Sequence, residues 1–248
     1  MKPALLILFL VFGIVSRADE ALALSVKSLS FQGDRRIVQM WLTTFGADRH
    51  SLRVIDNTAP GQPYRYVDLA QAMRGEGCVA GCNGGFFERT PFMPSGYIVS
   101  DGRVSGVFKP TSRLKGMLVV RKGVPALEGT EGFNPGDAEV TQLLQSGPWL
   151  VRAGAAEKDN NNTAQAPRTF AGTDGNGVWF IGVTDDCTLQ ELADFLVSEK
   201  LRDVVKVRDA LNLDGGPSTG LWVKDVRFYL REKWTVQNYL GVVARKVE

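Results

Sequence analysis

The amino-acid sequence predicts an α+β fold, a single mixed domain in which a β-rich sheet carries a few packed helices. Three observations predict it. Short segments rich in β-branched and aromatic residues recur between turn formers, which is the pattern of strands. Asp101-Gly102 and Lys122-Gly123 sit between such segments and mark tight hairpins. Only two stretches carry helical spacing, and no repeat or linker divides the 248 residues, so strands and helices are expected to share one unit.

In chain order, Ser25–Phe31, Arg36–Thr44 and Ser51–Ile55 read as strands. Tyr64–Arg74 reads as a short helix with Val67, Ala70 and Met73 on one face. Cys78–Ala80 leads into the turn Asn83-Gly84-Gly85-Phe86-Phe87. Gly96–Ser100 with Val104–Phe108, and Met117–Arg121 with Val124–Leu127, form the two hairpins. Val140–Leu150 is compatible with helix or strand. Glu157–Gln165 is polar, reads as an exposed loop, and contains Asn161-Asn162-Thr163, which matches a glycosylation sequon. Val178–Thr184 is a buried strand. Thr188 opens a helix, because Glu191 three residues on completes a capping box, and Leu189, Leu192, Ala193 and Leu196 fall on one face. Asp209–Asp214 is a strand entering a glycine turn, Trp222–Val223 and Val226–Tyr229 a late hairpin, and Tyr239–Ala244 a closing strand.

The N-terminus speaks to compartment. Lys2 precedes the apolar run Ala4–Val15, about twelve residues long, whereas a membrane-spanning helix needs about twenty. Small residues follow, with cleavage expected after Ala18 or as late as Ala23. This is the layout of a secretory signal peptide over residues 1–18, with one domain over residues 24–248. The mature protein is therefore expected to be exported, periplasmic or secreted, with no other segment able to cross a membrane. The alternative is an N-terminal core helix or an uncleaved anchor. Removing residues 1–18 takes away Lys2 and Arg17 and brings the formal charge from +2 to zero. With no basic stripe, a nucleic-acid partner is not expected. Export permits one disulfide among Cys78, Cys82 and Cys187, with one thiol left over and the pairing open. Two cysteines at this spacing without histidines make a poor zinc site, and no resident cofactor is expected.

Four segments carry polar apparatus suited to chemistry. Asn83-Gly84-Gly85 offers an amide side chain and glycines that let a ligand approach the backbone; the alternative is a plain turn before two core phenylalanines. Gln145-Ser146 precedes Gly147-Pro148 and is placed to present two polar side chains, or simply to form a structural turn. Arg168 follows the polar loop, and its planar fork of donors suits phosphate. Asp185 ends the buried strand just before a helix, where a carboxylate is either functional or a dipole partner. The fourth segment is Asn212 to Thr219. Asp214 ends a strand and meets Gly215-Gly216, Asn212 is expected on the same strand face, and Ser218 and Thr219 add hydroxyls. Gly216-Pro217-Ser218-Thr219-Gly220 fits the nucleophile-elbow pattern of serine hydrolases letter for letter. That reaction needs a histidine after the serine, and the single histidine, His50, lies far upstream in a polar turn where a surface position is expected. The chemistry is left to Asp, Arg, Asn and backbone amides.

The order of these segments resembles the phosphodiester glycosidase family. The resemblance covers roughly residues 70–244 and rests on Asn83-Gly84-Gly85-Phe86-Phe87, Ser95-Gly96-Tyr97-Ile98 with Asp101-Gly102, Gln145-Ser146-Gly147-Pro148, Arg168-Thr169, Thr188–Ala193, and Ala210–Thr219, with Val236-Gln237-Asn238 as the closing strand. It implies hydrolysis of the bond between a sugar's anomeric carbon and a phosphodiester, on envelope or extracellular glycans. Under that reading Asp214, Asp185 and Arg168 are the catalytic candidates: Asp214 as base or nucleophile, Asp185 as the second carboxylate, Arg168 as phosphate clamp. Asn83, Gly84, Gly85, Gln145, Ser146, Asn212, Gly215, Gly216, Ser218 and Thr219 are the substrate-binding candidates. A divalent cation shared by Asp185 and Asp214 is compatible with their oxygen ligands. The partner is a sugar phosphodiester or phosphorylated glycan. A second class of reading is a non-catalytic glycan- or phosphate-binding protein of exopolysaccharide biogenesis.

Overall fold

The structure is a computed structural model that describes residues 23–158 and 163–245. About 47% of it is strand and about 10% helix. The expected α+β character holds broadly, but with a correction: the strands form three larger sheets and a separate hairpin, not one sheet. The signal-peptide residues and the first two residues of the sequon lie outside the described residues.

The largest sheet has seven strands. Its order runs β1 (Lys27–Gln32), β2 (Ile37–Gly46), β15 (Val178–Cys187), β14 (Ala166–Thr173), β16 (Asp209–Asn212), β12 (Trp149–Arg152), β13 (Ala155–Ala156). A second sheet of five strands runs β10 (Val124–Gly129), β9 (Gly116–Arg121), β11 (Val140–Ser146), β7 (Tyr97–Ser100), β8 (Arg103–Gly106). A third runs β18 (Phe228–Leu230), β17 (Leu221–Val223), β4 (Ala80–Asn83), β19 (Asn238–Ala244), β3 (His50–Asp56). β5 (Phe87–Arg89) and β6 (Phe92–Pro94) pair alone. Val140–Leu150, open between helix and strand in the sequence, resolves into β11 and the start of β12, on either side of Gly147-Pro148. Both expected hairpins form, with Asp101 and Lys122 at positive φ in their turns.

Inward-facing residues of all three sheets meet in one core. Val54, Leu240 and Val242 from the third sheet, Leu118, Val120 and Leu144 from the second, and Ala171, Ile181 and Val183 from the first pack together. Each of the valine, leucine and isoleucine side chains contributes about 1.5–3 kcal/mol when buried. The capping-box helix forms as read: α2 (Leu189–Leu196) starts at Thr188, whose hydroxyl accepts from Glu191 N–H while the Glu191 carboxylate accepts from Thr188 N–H. Its apolar face covers the other side of the large sheet, on Phe31, Leu42, Phe170 and Phe180. α1 (Leu69–Gly75), shorter than the sequence suggested because Asp68 caps it, packs Leu69, Ala72 and Met73 against Ile55, Trp222 and Tyr239. A third helix, α3 (Glu199–Arg202), is a single turn.

Two expectations fail for tertiary reasons. His50 is buried, with its ring edge-on to Phe45 at 6.0 Å, because β3 begins there and turns it inward. Cys78, Cys82 and Cys187 are free thiols, each buried in a different core cluster. No helix among the described residues is long and apolar enough to cross a membrane.

Candidate active site

The Asp214 segment lies where the three sheets meet. β16 runs between β14 and β12 in the large sheet, and Leu213 N–H still donates to Thr169 O at 2.8 Å. One residue later the chain changes partner: Asp214 N–H donates to Gly84 O, at the end of β4 in the third sheet, at 3.0 Å. The second sheet reaches the same point through β11, where Ser146 hydroxyl donates to Asn212 O at 2.9 Å. Asp214 thus sits at a backbone crossing that three sheets hold rigid, as a site built on regular elements requires.

Asn83 ties the crossing together. Its Nδ2 donates to Asp214 O at 2.6 Å. Its Oδ1 accepts from Thr169 hydroxyl at 2.7 Å and Gly220 N–H at 3.1 Å. The Thr219 hydroxyl lies 3.4 Å from that of Thr169. Asn83, Thr169, Thr219 and Asp214 are therefore one connected group.

The Asp214 carboxyl is the most chemically perturbed group here. Burial pushes its pKa up to about 6, against the downward pull of the Ser218 hydroxyl and of Gly215 N–H, which donates to Oδ1 at 2.9 Å. A carboxylate with an apparent pKa near neutrality is suited to proton transfer. Ser218 is thus a neighbour of the carboxyl, in the one-turn helix Gly216–Ser218, and not an elbow nucleophile.

Asp185 stands on the other side of β14. Ala166 pairs with Cys187 and Arg168 with Thr184, so Asp185 and Asp186 together oppose Pro167 in a bulge. Gly215 approaches Pro167 from β16's side: a Cβ on Gly215 would fall 2.7 Å from Pro167 O, which only glycine avoids. Asp214 and Asp185 therefore flank β14 across two strand spacings, about 10 Å of backbone. Asp186 is turned away, paired with Arg36 at 3.2 Å.

Several predicted site residues serve the scaffold. Arg168 is buried; its Nε donates to Cys187 O at 2.9 Å and its Nη2 to Ala164 O. The guanidinium points to the α2 side of the sheet, where Asp186 and Glu191 act on it, and it is not among the groups acting on Asp214. Gln145 is buried with its amide spent on Tyr97 N, Lys109 N, Lys109 O and Leu114 O. The amides of Gly84 and Gly85 are taken by Asn238, at its carbonyl (2.9 Å) and Oδ1 (2.6 Å), so they form no open phosphate nest. Asn212 Nδ2 donates to Gly147 O at 2.9 Å, while its buried Oδ1 has no donor among the described residues. Among the described residues no group of three or more His, Cys, Asp or Glu could hold a metal ion.

Sequence reasoning missed Asn238 and Glu232. Asn238 holds the glycine turn, and its only trace was a place in the closing strand. Glu232 is buried near Gly220 and accepts from Leu69 N–H at 2.5 Å and Tyr229 hydroxyl at 3.2 Å, capping α1 from 163 residues away; burial pushes its pKa up. No local pattern announces such a contact.

The fold recurs in solved structures. The catalytic domain of zebrafish N-acetylglucosamine-1-phosphodiester alpha-N-acetylglucosaminidase, auto-inhibited by its pro-peptide, is 20% identical, covers 91% of this chain and 84% of its own, and superposes with a TM-score of 0.67. A hypothetical protein from Synechocystis is 16% identical, over 90% of this chain and 62% of its own, with a TM-score of 0.57. A protein from Burkholderia pseudomallei named as exported is 12% identical, over 84% and 74%, with a TM-score of 0.60. At these identities the likeness is one of fold. No curated protein sequence matches the chain. The sequence model of the phosphodiester glycosidases matches residues 76–243, and the chain belongs to that family of hydrolases.

Proposed function

We propose that this protein hydrolyses a sugar-1-phosphodiester, cleaving between the anomeric carbon and phosphate, on envelope or extracellular glycans, with Asp214 at the reacting centre. The observation that carries the reading is the Asp214 carboxyl, raised to about 6 by burial at a rigid junction of three sheets. In the proposed reaction Asp214 takes a proton from water as the water oxygen bonds to the anomeric carbon. The bond from that carbon to the phosphate oxygen breaks, and the electron pair leaves with a phosphate monoester. A phosphate monoester is a good leaving group, so little acid assistance is needed. Asp185, on the far side of β14 from Asp214, is the proposed second carboxylate. Ser218 and Thr219 follow Asp214 in the turn and are the expected contacts to sugar hydroxyls, while Asn83, whose amide is fully engaged, positions the Asp214 backbone. The resemblance at the N-terminus to a signal peptide supports export.

The test is hydrolysis of a sugar 1-(methyl phosphate) by residues 24–248 and by Asp214→Asn. The wild type is expected to turn over with an activity that rises with pH through about 6, as Asp214 ionises. Equal rates for the variant would sink the role of Asp214. Binding of a phosphorylated glycan with no turnover of any phosphodiester would favour the non-catalytic reading.

A further inference from the structure

A groove of about 470 Å³ lies between the β5–β6 hairpin and the loop before β19 and has no place in the chemistry above. One wall is the β5–β6 hairpin. In its register Arg89 faces Phe92 and Phe87 faces Pro94, so Phe87, Arg89 and Phe92 share one face, while Glu88 falls on the other. The opposite wall is the loop before β19, with Lys233 and the exposed indole of Trp234; Tyr64 closes one end. The rings are ordered against each other: Phe87 and Phe92 meet edge to face at 5.6 Å, and the Arg89 guanidinium lies 4.4 Å from the Trp234 ring centre. The lining holds four aromatic rings and two cations and no carboxylate. Among the described residues neither Arg89 nor Lys233 joins an ion pair.

Both walls are tied to Asp214. Lys233 and Trp234 N–H both donate to Pro217 O, at 2.8 and 3.2 Å, three residues after Asp214. Phe87 is three residues after Gly84, whose carbonyl accepts from Asp214 N–H. Three residues of chain reach at most about 10 Å, which keeps Phe87 within that reach of Gly84, and Pro217, the anchor of the other wall, within that reach of Asp214.

We infer that this groove binds an anionic oligosaccharide, the part of the substrate beyond the scissile bond. Aromatic faces are electron-rich and attract the slightly positive C–H faces of sugar rings by the same quadrupole that holds Arg89 over Trp234. Exposed cations outside any ion pair, in a wall free of acids, select phosphate or carboxylate groups. The inference takes its orientation from the hydrolase reading of Asp214, but the groove's ligand chemistry rests on its own residues.

The experiment is calorimetric titration of residues 24–248 with 6-phosphomaltotetraose, a galacturonate tetrasaccharide and neutral maltotetraose. At least one anionic probe is expected to bind more tightly than the neutral one, and which one identifies the anion. Trp234→Ala and the double variant Arg89→Ala/Lys233→Ala are each expected to weaken that binding roughly tenfold or more, about 1.4 kcal/mol on the conversion used for affinities. All three side chains are exposed, so both variants are expected to fold, and their melting curves check this. No preference for an anionic probe, or affinities that the substitutions leave unchanged, would overturn the inference. A wild type that binds as expected yet hydrolyses no phosphodiester would leave the groove standing and remove the hydrolytic reading alone.

Discussion

Replacing Asp214 by Asn should abolish activity and make the protein more stable, by an amount that grows with pH. Burial raises the Asp214 carboxyl from the usual 3.8 to about 6. The folded state thus binds this proton more tightly than the unfolded state, and the stability it lends is fully present below about pH 3.8 and lost as pH rises through about 6. The loss is about 3 kcal/mol, at about 1.36 kcal/mol for each step of one on the pKa scale. Asn is neutral throughout, and its amide oxygen can still accept from Gly215 N–H and the Ser218 hydroxyl. All other groups titrate alike in the two proteins, so the difference isolates one carboxyl. The variant's advantage should be about 1 kcal/mol near pH 4.5 and about 3 kcal/mol near pH 8. For a domain of this size, the latter is about 6–12 °C in melting temperature. Urea unfolding of both proteins at the two pH values measures it. An advantage that does not change with pH would refute the claim that Asp214 is held in an environment hostile to its charge, and with it the basis for its proton-transfer role.

Other perturbations probe the frame around that carboxyl. Arg168→Ala should cost about 2–4 kcal/mol in urea unfolding, because it removes charged hydrogen bonds to two carbonyls; unchanged stability would mean that Arg168 does not serve as this strut. Gly84→Ala would put a Cβ 2.0 Å from Asn238 Oδ1, so a loss of about 1–3 kcal/mol is expected. Activity should fall with it, since Gly84 O positions Asp214, and a variant with wild-type melting temperature and rate would contradict the crossing described. The three thiols should resist Ellman's reagent in the native protein near pH 8 and react on unfolding. Burial pushes Cys78 up to about 12 and Cys187 up to about 11, and raises Cys82 as well, so the reactive thiolate is scarce. Prompt native labelling, or a disulfide in mass spectra, would count against their packing.

How much of this was legible depended on how far each contact reaches. The Asp101-Gly102 and Lys122-Gly123 hairpins and the Thr188–Glu191 capping box were readable because turn geometry and cap bonds close within a few residues. The strand-end position of Asp214 was readable for the same reason, since an apolar strand followed by Asp-Gly-Gly is a local pattern. Arg168 and Gln145 show that residue type does not state what a side chain will meet. Both look like ligand-facing donors in sequence, and both are spent on backbone carbonyls or amides of loops that would otherwise be buried unsatisfied. Asn238 and Glu232 were invisible because their partners, Gly85 and Leu69, lie 153 and 163 residues away.

The sequence by itself therefore determined most of the strands, the capping-box helix, the likeness to phosphodiester glycosidases, and Asp214 as the residue to test, all through local patterns and their order, while β5, β6 and β14 went unread. Only the tertiary structure decided that three sheets share the strands, that they cross at Asp214, and that Asn83 alone among the expected amides binds the Asp214 backbone. Sheet pairing and burial are set by contacts between distant segments, and it is that burial, not the identity of the residue, that gives the Asp214 carboxyl its raised pKa.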